Sequence, residues 1–493
     1  FKQHIFFTTQ LIGEHSIITP LKLRWYGAFN ILDAQSPDQK RIQYTRTAGT
    51  QNAYSLLVGN SLSQESGSRI FQDLSDYIYT AGGDLSYNFN AFAGKQTLKG
   101  GYMIQVKDRL YDAKLFANYL PRDNAALRLQ TADRIFAAEN FGDGSATSTL
   151  FAFDAIKGNN FRYMANTILN AGFVQFDNQF SKAFRVVWGA RLEHYDQLVG
   201  SVRQSDPRHI HSKIFDVLPG LNATYKLSNT TNFRLSASQT VIRPELRELS
   251  FLNLYDFELN ASIQGNPLLK RSKNTNVDIR YELYPRAGEV FTAGVFYKLF
   301  KDPIEQMFSE GSGGASTFSF QNPQQANAYG VEAEYRKRLD FVDLLKNFTI
   351  QANASYIYSR VKDSTFQIDR PLQGQSPYLI NVGLLYDHEE KGINATLLFN
   401  QIGHRIYLVG DLTAGAGSPD IYEAPRPVLD FQLGKKILDK KAEIRLNVSD
   451  LLNHTQYFYQ NATDKTSFQK NEDALRFTRK YGTSFSISFN YSL

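Results

Sequence analysis

The C-terminal end of the chain alternates apolar and polar residues strictly, which is the pattern of a β-strand with two unlike faces. From Phe485 to Leu493 every second residue is apolar, and Ser or Asn fills each position between. One face of such a strand suits hydrocarbon and the other suits water. A soluble sandwich also buries the apolar side of an alternating strand. This segment alone therefore does not distinguish a membrane barrel from a sandwich.

The same period of two recurs upstream. Alternate positions from Phe348 to Tyr358 carry Phe, Ile, Ala, Ala, Tyr and Tyr, with mostly polar residues between them. From Tyr378 to Tyr386 the apolar positions begin and end with a tyrosine, and such rings favour the two interfaces of a membrane. We predict about 17 strands of the length that a tilted membrane strand needs. One of them contains Pro219, where we expect a bulge or bend.

The connections between the predicted strands alternate between short and long. Tight turns on one side of a membrane and long loops on the other are typical of an outer-membrane barrel, whereas Greek-key crossings would break the alternation. The short connections are residues 19–20, 90–94, 181–183, 228–231, 285–288, 388–392 and 438–441, and the long ones are 37–68, 121–160, 203–211, 250–270, 309–317, 364–375, 411–421 and 462–475.

These patterns predict an all-β protein, a transmembrane antiparallel up-and-down β-barrel with short periplasmic turns and long extracellular loops. If the last strand ends in the periplasm, the first segment, residues 3–17, runs inward and needs an outward strand before it. Barrels of about 22 strands hold a plug, so about five further strands would complete this one. We therefore expect residues 1–493 to form an incomplete barrel whose plug domain and first strands lie upstream.

The composition agrees with a barrel and removes several other classes of protein. No run of about 18 apolar residues could cross a membrane as a helix, while 37 Phe and 28 Tyr supply interfacial rings. The absence of cysteine excludes disulfide scaffolds and cysteine-ligated metal sites. The net charge of +6 comes from 54 basic and 48 acidic residues without a basic run, so we expect no nucleic-acid partner.

Charged residues fall on the polar, inward-facing side of neighbouring predicted strands. Charges of both signs in a hydrated lumen can pair and keep contact with water, which lipid would forbid. They either solvate the wall of a pore or hold a polar plug domain that is encoded upstream. These lumen-facing residues are Arg234, Asp278, Arg280, Glu282, Glu332, Glu334 and Arg336.

The predicted long loop at residues 250–270 mixes aromatic rings with a carboxylate and follows a basic residue. Apolar rings with a few polar groups are typical of ligand sites, so this loop is our first candidate for ligand binding. The alternative is an aromatic-rich loop that packs on its neighbours. The candidate ligand-binding residues are Arg243, Phe251, Tyr255, Asp256 and Phe257.

Patterns for catalysis or metal binding are weak in this chain. His209 and His211 are two residues apart, but no third ligand is evident nearby, so we expect no metal site and no other cofactor. Glu193 and His194 point to opposite faces of a strand and cannot form an acid–base pair. We therefore do not expect an enzyme.

Seven short segments carry motifs that occur in a familiar order. They are Leu-Pro-Gly-Leu-Asn at 218–222, Arg-Leu-Ser-Ala-Ser-Gln-Thr at 234–240, Arg-Pro-Glu-Leu-Arg-Glu-Leu at 243–249, Gly-Asn-Pro at 265–267, Tyr-Gly-Val-Glu at 329–332, Gln-Ser-Pro-Tyr at 375–378 and Leu-Asn-Val-Ser-Asp-Leu-Leu-Asn at 446–453. Together they resemble the barrel of TonB-dependent outer-membrane receptors of the Bacteroidetes type, over most of the chain.

The resemblance implies a barrel of about 22 strands with an N-terminal plug and a short energy-coupling box, placed in the bacterial outer membrane. It also implies active uptake of a scarce nutrient, driven by the TonB energy-coupling complex through an upstream segment. The implied partners are the lipid bilayer and that complex. A surface-exposed or lipoprotein partner belongs to the structural role considered below. The present sequence contains neither the plug nor the box.

Two other functions stay open beside active uptake. A passive porin-like channel would use the same barrel without energy. A non-transporting barrel would serve as a structural or assembly partner in a larger outer-membrane complex. The sequence does not identify a ligand, because selectivity resides in loops and plug surfaces.

Overall fold

The computed structural model describes residues 2–92, 94–158, 160–256, 259–310, 316–363, 368–411, 418–461 and 467–492. Two short α-helices, Ala125–Arg128 (α1) and Leu246–Leu249 (α2), and two 3-10 helices, Ala138–Asn140 and Asp343–Leu345, interrupt the strands. No helix within the described ranges has the length and apolar character needed to span a membrane.

The remaining regular structure consists of β-strands. In chain order they are Gln3–Ile18 (β1), Leu21–Arg41 (β2), Tyr44–Thr45 (β3), Ser55–Leu56 (β4), Ser68–Ala91 (β5), Gly94–Tyr119 (β6), Ala152–Ile156 (β7), Arg162–Gln179 (β8), Phe184–Gly200 (β9), His209–Lys226 (β10), Thr231–Ile242 (β11), Asn253–Asp256 (β12), Ala261–Gln264 (β13), Ser272–Leu283 (β14), Val290–Lys301 (β15), Glu305–Glu310 (β16), Ser316–Gln321 (β17), Gln325–Arg338 (β18), Phe348–Asp363 (β19), Ile368–Arg370 (β20), Tyr378–His388 (β21), Ile393–Ile402 (β22), Arg405–Gly410 (β23), Ile421–Glu423 (β24), Pro427–Ile437 (β25), Ala442–Ser449 (β26), Gln456–Gln460 (β27), Ala474–Arg479 (β28) and Ser484–Tyr491 (β29).

Seventeen long strands form an antiparallel up-and-down meander in which each strand pairs with its neighbours along the chain. The short strands β7 and β20 pair with β6 and β19 and complete a 19-stranded sheet. Among the described residues, β1 pairs only with β2, and β29 pairs only with β26. The predicted number of long strands and their up-and-down order are confirmed.

Connections at the two ends of the meander differ in length. One end, the short-turn end, carries tight turns, and its longest connection is residues 339–347. The other end, the long-loop end, carries extended connections such as residues 120–161 and 450–483. The short-turn and long-loop ends alternate along the chain as predicted, but the difference in length is not strict. The nine residues 339–347 at the short-turn end, which the sequence did not predict as a turn, exceed the eight residues 201–208 at the long-loop end.

The two faces of the meander have opposite character. In β29, Phe485 and Ile487 are 71% and 77% exposed on the outward face. On the other face, Asn447 of β26 donates a hydrogen bond to Ser486 at 3.2 Å. An apolar outer surface that continues over many strands is costly in water, so hydrocarbon is the solvent that suits it.

Pro219 does not produce the predicted bulge. The register between β9 and β10 runs without a shift from His209 to Tyr225. Pairing between β10 and β11 begins only at Gly220. Pro219 therefore lies outside the hydrogen-bond ladder between β10 and β11. The N–H that proline lacks removes no hydrogen bond from that ladder.

Four long connections merge into a second sheet of eight strands in the order β12-β13-β17-β16-β23-β24-β27-β28, which we call the loop sheet. Parallel pairs join β13 to β17 and β16 to β23, so the sheet forms between different connections. Its core contains the buried residues Phe308, Phe318, Leu408, Ile421 and Phe458. The long-loop end therefore has a hydrophobic core of its own.

Candidate functional site

The seven charged residues predicted to face the lumen lie on one face of β11, β14 and β18. The register places Arg234 opposite Arg280, and Arg280 and Glu332 both opposite Gly294. The exposed apolar side chains of the same strands, such as Val295, point the other way. The charged row therefore lies on the face opposite these apolar side chains, which we call the inner face.

Some of these inner charges form ion pairs. Arg234 Nε lies 2.8 Å from a carboxylate oxygen of Glu282. Arg280 Nη2 lies 3.8 Å from Glu332. These contacts relieve the repulsion between the two opposed arginines, because each has a carboxylate partner. Within the ranges that the structure describes, the members without an ion pair are Asp278, Glu334 and Arg336.

A polar depression of about 360 Å³ lies in the inner wall beside Glu334 and Arg336. Asn400 donates to Asn381, which donates to Asn353 at 2.6 Å, so a ladder of amides crosses three neighbouring strands. This part of the wall offers many donors and acceptors and suits contact with water or with a polar surface.

The connection between β11 and β14, residues 243–271, folds against the inner face of the barrel. A capping box closes the first turn of its helix α2. Leu246 and Leu249 are buried in a cluster that includes Tyr111 of β6 and Tyr163 of β8. Burial of a leucine contributes about 1.5–3 kcal/mol, so these contacts hold the connection on the wall.

Arginines anchor both ends of this connection. Arg243 Nη2 donates to Glu193 at 2.6 Å, and its guanidinium lies 4.4 Å from the centre of the Tyr195 ring. At the other end, Arg271 Nη2 lies 2.6 Å from Asp216. Glu193 and Asp216 face each other on β9 and β10, and both side chains are almost fully buried. The charge of Arg243 is thus paired with Glu193 of the barrel wall.

Tyr255 of the same connection has different partners from Arg243. The Arg41 guanidinium lies 4.2 Å from the centre of the Tyr255 ring, and the Tyr255 N–H donates to Gln64. The Tyr255 hydroxyl donates to Asn260. Burial raises the pKa of this hydroxyl above its usual range. The structure therefore places Tyr255 among the connections of the long-loop end and Arg243 on the wall.

The other predicted members of this site are less well defined by contacts. Asp256 accepts a hydrogen bond from the N–H of Leu259 at 3.1 Å. Phe251 is half-buried. Phe257 lies outside the described residues. The extensive packing of this connection supports the alternative in which the loop packs on its neighbours, at least for its anchored ends.

A buried ion pair connects the loop sheet to the barrel. Arg370 of β20 donates to both carboxylate oxygens of Glu305 of β16, at 3.0 and 2.6 Å. The two side chains are 8% and 1% exposed. Because β20 pairs with the long strand β19, this contact fixes the loop sheet to the rim.

Sequence reasoning missed a second charged group on the inner face. Asp76 of β5 is 1% exposed and accepts two hydrogen bonds from Arg109 of β6, both at 2.6 Å. Lys107 Nζ lies 3.2 Å from the same carboxylate. The sequence does contain a signal for this group. Asp76, Lys107 and Arg109 are opposite charges at inward-facing positions of two strands that follow each other along the chain.

The two histidines considered as metal ligands have other contacts. His211 Nε2 lies 2.7 Å from Asp196, and His209 Nδ1 lies 2.8 Å from the carbonyl oxygen of Ser201. The described part of the chain contains no group of three or more potential metal-ligating side chains.

The model of the outer membrane protein beta-barrel family matches residues 126–491, which is most of the chain. An iron-regulated outer membrane virulence protein of Vibrio cholerae serotype O1 is 24% identical over 304 residues, which are 59% of this chain and 42% of that protein. The chain thus spans less than half the length of this curated relative.

Solved structures share the fold over nearly the whole chain. The ferric-catecholate import receptor Fiu of E. coli K12 has a TM-score of 0.65 and 12% identity, over 99% of this chain and 64% of that one. The ferric citrate transporter FecA has a TM-score of 0.63 and 10% identity, over 99% and 61%. The resemblance of this barrel to outer-membrane receptors is confirmed, and its location is the bacterial outer membrane. The long loops are therefore extracellular and the short turns periplasmic, and the chain belongs to the outer membrane protein beta-barrel family.

Proposed function

We propose that this barrel is part of a gated receptor that takes up a scarce nutrient across the outer membrane, with energy from the TonB complex. The loop sheet is the observation that supports this most. Four extracellular connections share one hydrophobic core, and the ion pair of Glu305 with Arg370, which belongs to a fifth connection, fixes them to the barrel wall. A preorganised surface at the mouth suits capture of a dilute ligand, because little ordering entropy is lost on binding.

We further infer that a plug fills the lumen. Strands β1 and β29 each have one partner among the described residues, and an unpaired strand edge is unfavourable in lipid. About five upstream strands would join these edges in a barrel of about 22 strands. A barrel of this width needs a filler to prevent leakage, and the charged row and amide ladder offer it a polar contact surface.

Ferric chelates are the first ligand class that we would test. The relatives described above are an iron-regulated outer membrane protein, a ferric citrate transporter and a ferric-catecholate import receptor. Such chelates combine negative charge with flat or ring-shaped surfaces. The Arg41 and Tyr255 pair suits that chemistry, since Arg41 Nη1 is buried without a hydrogen-bond partner among the described residues. Phe251, Asp256 and Phe257 of the same loop remain candidates beside it.

Uptake by cells tests the proposed function. Full-length protein would be expressed in a strain without its own ferric receptors, and radioactive ferric citrate and ferric catecholate would be supplied. We expect accumulation that stops when an uncoupler collapses the proton gradient or when the upstream coupling segment is deleted. Accumulation that continues after both treatments would contradict an energised mechanism and favour the porin-like channel.

Binding by the purified full-length protein tests the loop residues separately. We expect Tyr255→Ala and Arg41→Gln to weaken ferric chelate binding, while Phe341→Ala, at an exposed residue of a periplasmic connection, leaves it unchanged. Equal affinity in all variants would remove Tyr255 and Arg41 from the site. Stoichiometric co-purification of a surface-exposed or lipoprotein partner, with no uptake, would favour the structural role.

A further inference from the structure

The wall formed by β2, β5 and β6 extends far beyond the membrane at its extracellular end. Tyr77 and Tyr79 of β5 are exposed on the outward face, and such rings mark the outer boundary of the hydrocarbon. Arg69 lies eight residues beyond Tyr77, which is about 26 Å along the strand. At a tilt of about 40° this is a height of about 20 Å. The headgroup layer is only about 5–8 Å thick, so Arg69 lies in the extracellular medium.

Arg69 points away from the lumen. Its neighbour Ile70 is buried in the inner cluster with Leu115 of β6. Because alternate residues of a strand face opposite sides, Arg69 and its register partner Lys40 face outward. The ladder between β5 and β6 runs without a shift over the whole of Ser68–Ala91. The wall therefore separates the surface around Arg69 from the lumen.

A cavity of about 420 Å³ opens on this outward surface. It is lined by three rings and several polar side chains, among them Phe136, Phe141, Phe153, Lys40, Arg69 and Asn118. Phe136 and Phe141 lie in the connection after β6, and their ring centres are 5.1 and 6.0 Å from that of the fully buried Phe151. The rings are thus held in place by a packed core. An apolar cavity of this size with a few polar groups is typical of a small-molecule site.

A β-bulge gives the cavity its charge. The register between β2 and β5 shifts between Ser36 and Gln39, and Asp38 in the bulge has a φ of 56°. The Asp38 carboxylate accepts two hydrogen bonds from Arg69, at 2.7 and 2.8 Å, and lies 3.4 Å from Lys40 Nζ. One negative charge thus serves two positive ones. Since no carboxylate lines the cavity itself in the part of the chain that the structure describes, the cavity keeps a positive rim.

We propose that this cavity binds a small, iron-free aromatic carboxylate and holds it at the cell surface, apart from the transport path. The phenylalanine rings suit an aromatic ring, which packs favourably on other rings. Lys40 and Arg69 suit its carboxylate, because hydrogen bonds between two ionised groups are stronger than neutral ones. Arg41 also borders the cavity, but its guanidinium stacks on Tyr255, in the other candidate site. The proposal is therefore independent of the proposed uptake.

Calorimetric titration of the full-length protein in lipid nanodiscs tests this proposal, with empty nanodiscs as the blank. The probes are 2-naphthoate, its neutral counterpart 2-naphthamide, and acetate, which has no ring. We expect the wild type to bind 2-naphthoate at least about tenfold more tightly than either of the other two. Lys40→Gln removes a charge and Phe153→Ala removes a ring, so each should weaken the binding of 2-naphthoate about five- to tenfold.

Asp38→Asn distinguishes a binding site from a cluster that only stabilises the fold. Asparagine tolerates the left-handed conformation, so the bulge is retained while Arg69 and Lys40 lose their competing carboxylate. Binding of 2-naphthoate should therefore become about fivefold tighter, a gain that a purely structural role does not predict. Lys114→Gln is the matched control, because Lys114 is exposed on the same outward face and does not line the cavity. This change should leave the affinity unaltered.

Several results would overturn the proposal. They are the absence of 2-naphthoate binding by the wild type, equal binding of 2-naphthamide, undiminished binding by folded Lys40→Gln and Phe153→Ala variants, and weaker binding by Asp38→Asn. The thermal midpoint of each variant verifies folding. Uptake of ferric chelates by Lys40→Gln and Phe153→Ala should equal that of the wild type, because the wall separates the cavity from the lumen. Loss of uptake in both variants would contradict a site apart from the transport path.

Discussion

Arg370 and Glu305 form a bidentate ion pair that is almost entirely shielded from solvent, with nitrogen–oxygen distances of 3.0 and 2.6 Å. It joins a strand of the loop sheet to a short strand that extends the barrel wall. Removing one partner of a buried pair leaves an uncompensated charge, which costs more than the loss of both. This ion pair therefore contributes to holding the loop sheet on the barrel wall, beside the hydrogen bonds of Gln373 to Gln306 and Tyr407.

Replacing Arg370 by Leu should destabilise the extracellular end by about 3–5 kcal/mol, because Glu305 then stays buried without a cation. The double variant Arg370→Leu with Glu305→Leu should recover much of that loss. Limited proteolysis of the extracellular loops and the thermal midpoint in detergent measure both effects. Additive losses in the double variant would show that the two residues act independently.

Replacing Arg243 by Gln should release the inward-folded connection at residues 243–271. Glu193 would keep its contact with Arg191 at 2.6 Å, so we expect a moderate cost of about 2 kcal/mol. Faster proteolytic cleavage within the connection measures the effect. Arg336→Gln is the matched control, since Arg336 lies on the same inner face without an ion pair in the described chain. Equal cleavage rates for both variants would contradict the anchoring role.

The barrel could be predicted from the sequence because its strands repeat one simple pattern. Residues 378–386 and 485–491 alternate because one face meets lipid and the next meets the lumen, and this pattern is visible without any contact between distant residues. The loop sheet could not be predicted in the same way. Phe308 and Phe458 share its core, but the parallel pairings that bring their strands together join residues far apart in sequence.

The candidate site was predictable only in part, for a related reason. The charged row from Arg234 to Arg336 follows from alternation, so its common face could be predicted. Arg243 was assigned to a ligand loop because of its neighbours in sequence. Its partner Glu193 lies on a strand 50 residues earlier, and only the three-dimensional arrangement shows that the guanidinium supports the wall.

Replacing Phe458 by Ala should loosen the loop sheet and leave the barrel itself largely intact. Phe458 is completely buried, and its ring centre lies 4.2 Å from that of Phe477 and 4.7 Å from that of Tyr407. The cavity and the lost contacts should cost about 3–5 kcal/mol, confined to the loops. Near-UV circular dichroism and loop proteolysis measure this, with Leu475→Ala at a 51% exposed position as control. Equal effects of the two changes would argue against a packed loop core.

Glu289 should make a pH-dependent contribution to stability at the periplasmic end. The Arg286 guanidinium, with help from Lys337, lowers the pKa of the Glu289 carboxyl from 4.5 to about 2. Because the folded state favours the charged form, the contribution is complete above about pH 4.5 and is lost as the pH falls towards 2. Glu289→Gln should lower the thermal midpoint at neutral pH and much less at acidic pH. Asp343→Asn, at an exposed residue of the 3-10 helix Asp343–Leu345, should change it at neither pH, and a pH-independent effect of Glu289→Gln would contradict this assignment.

Single cysteines should report the two faces of the last strand directly, because the chain contains no cysteine of its own. Ile487 lies on the apolar face opposite Leu446, and Ser488 lies on the polar face opposite Arg445. In lipid vesicles, a charged, water-soluble maleimide should leave Ile487→Cys unlabelled, because the hydrocarbon excludes the reagent and keeps the thiol protonated and therefore unreactive. The same reagent should label Ser488→Cys, since its thiol meets the hydrated lumen. Both variants in denaturant serve as controls for intrinsic reactivity, and equal labelling of the folded forms by the charged reagent would mean that the apolar face does not contact lipid.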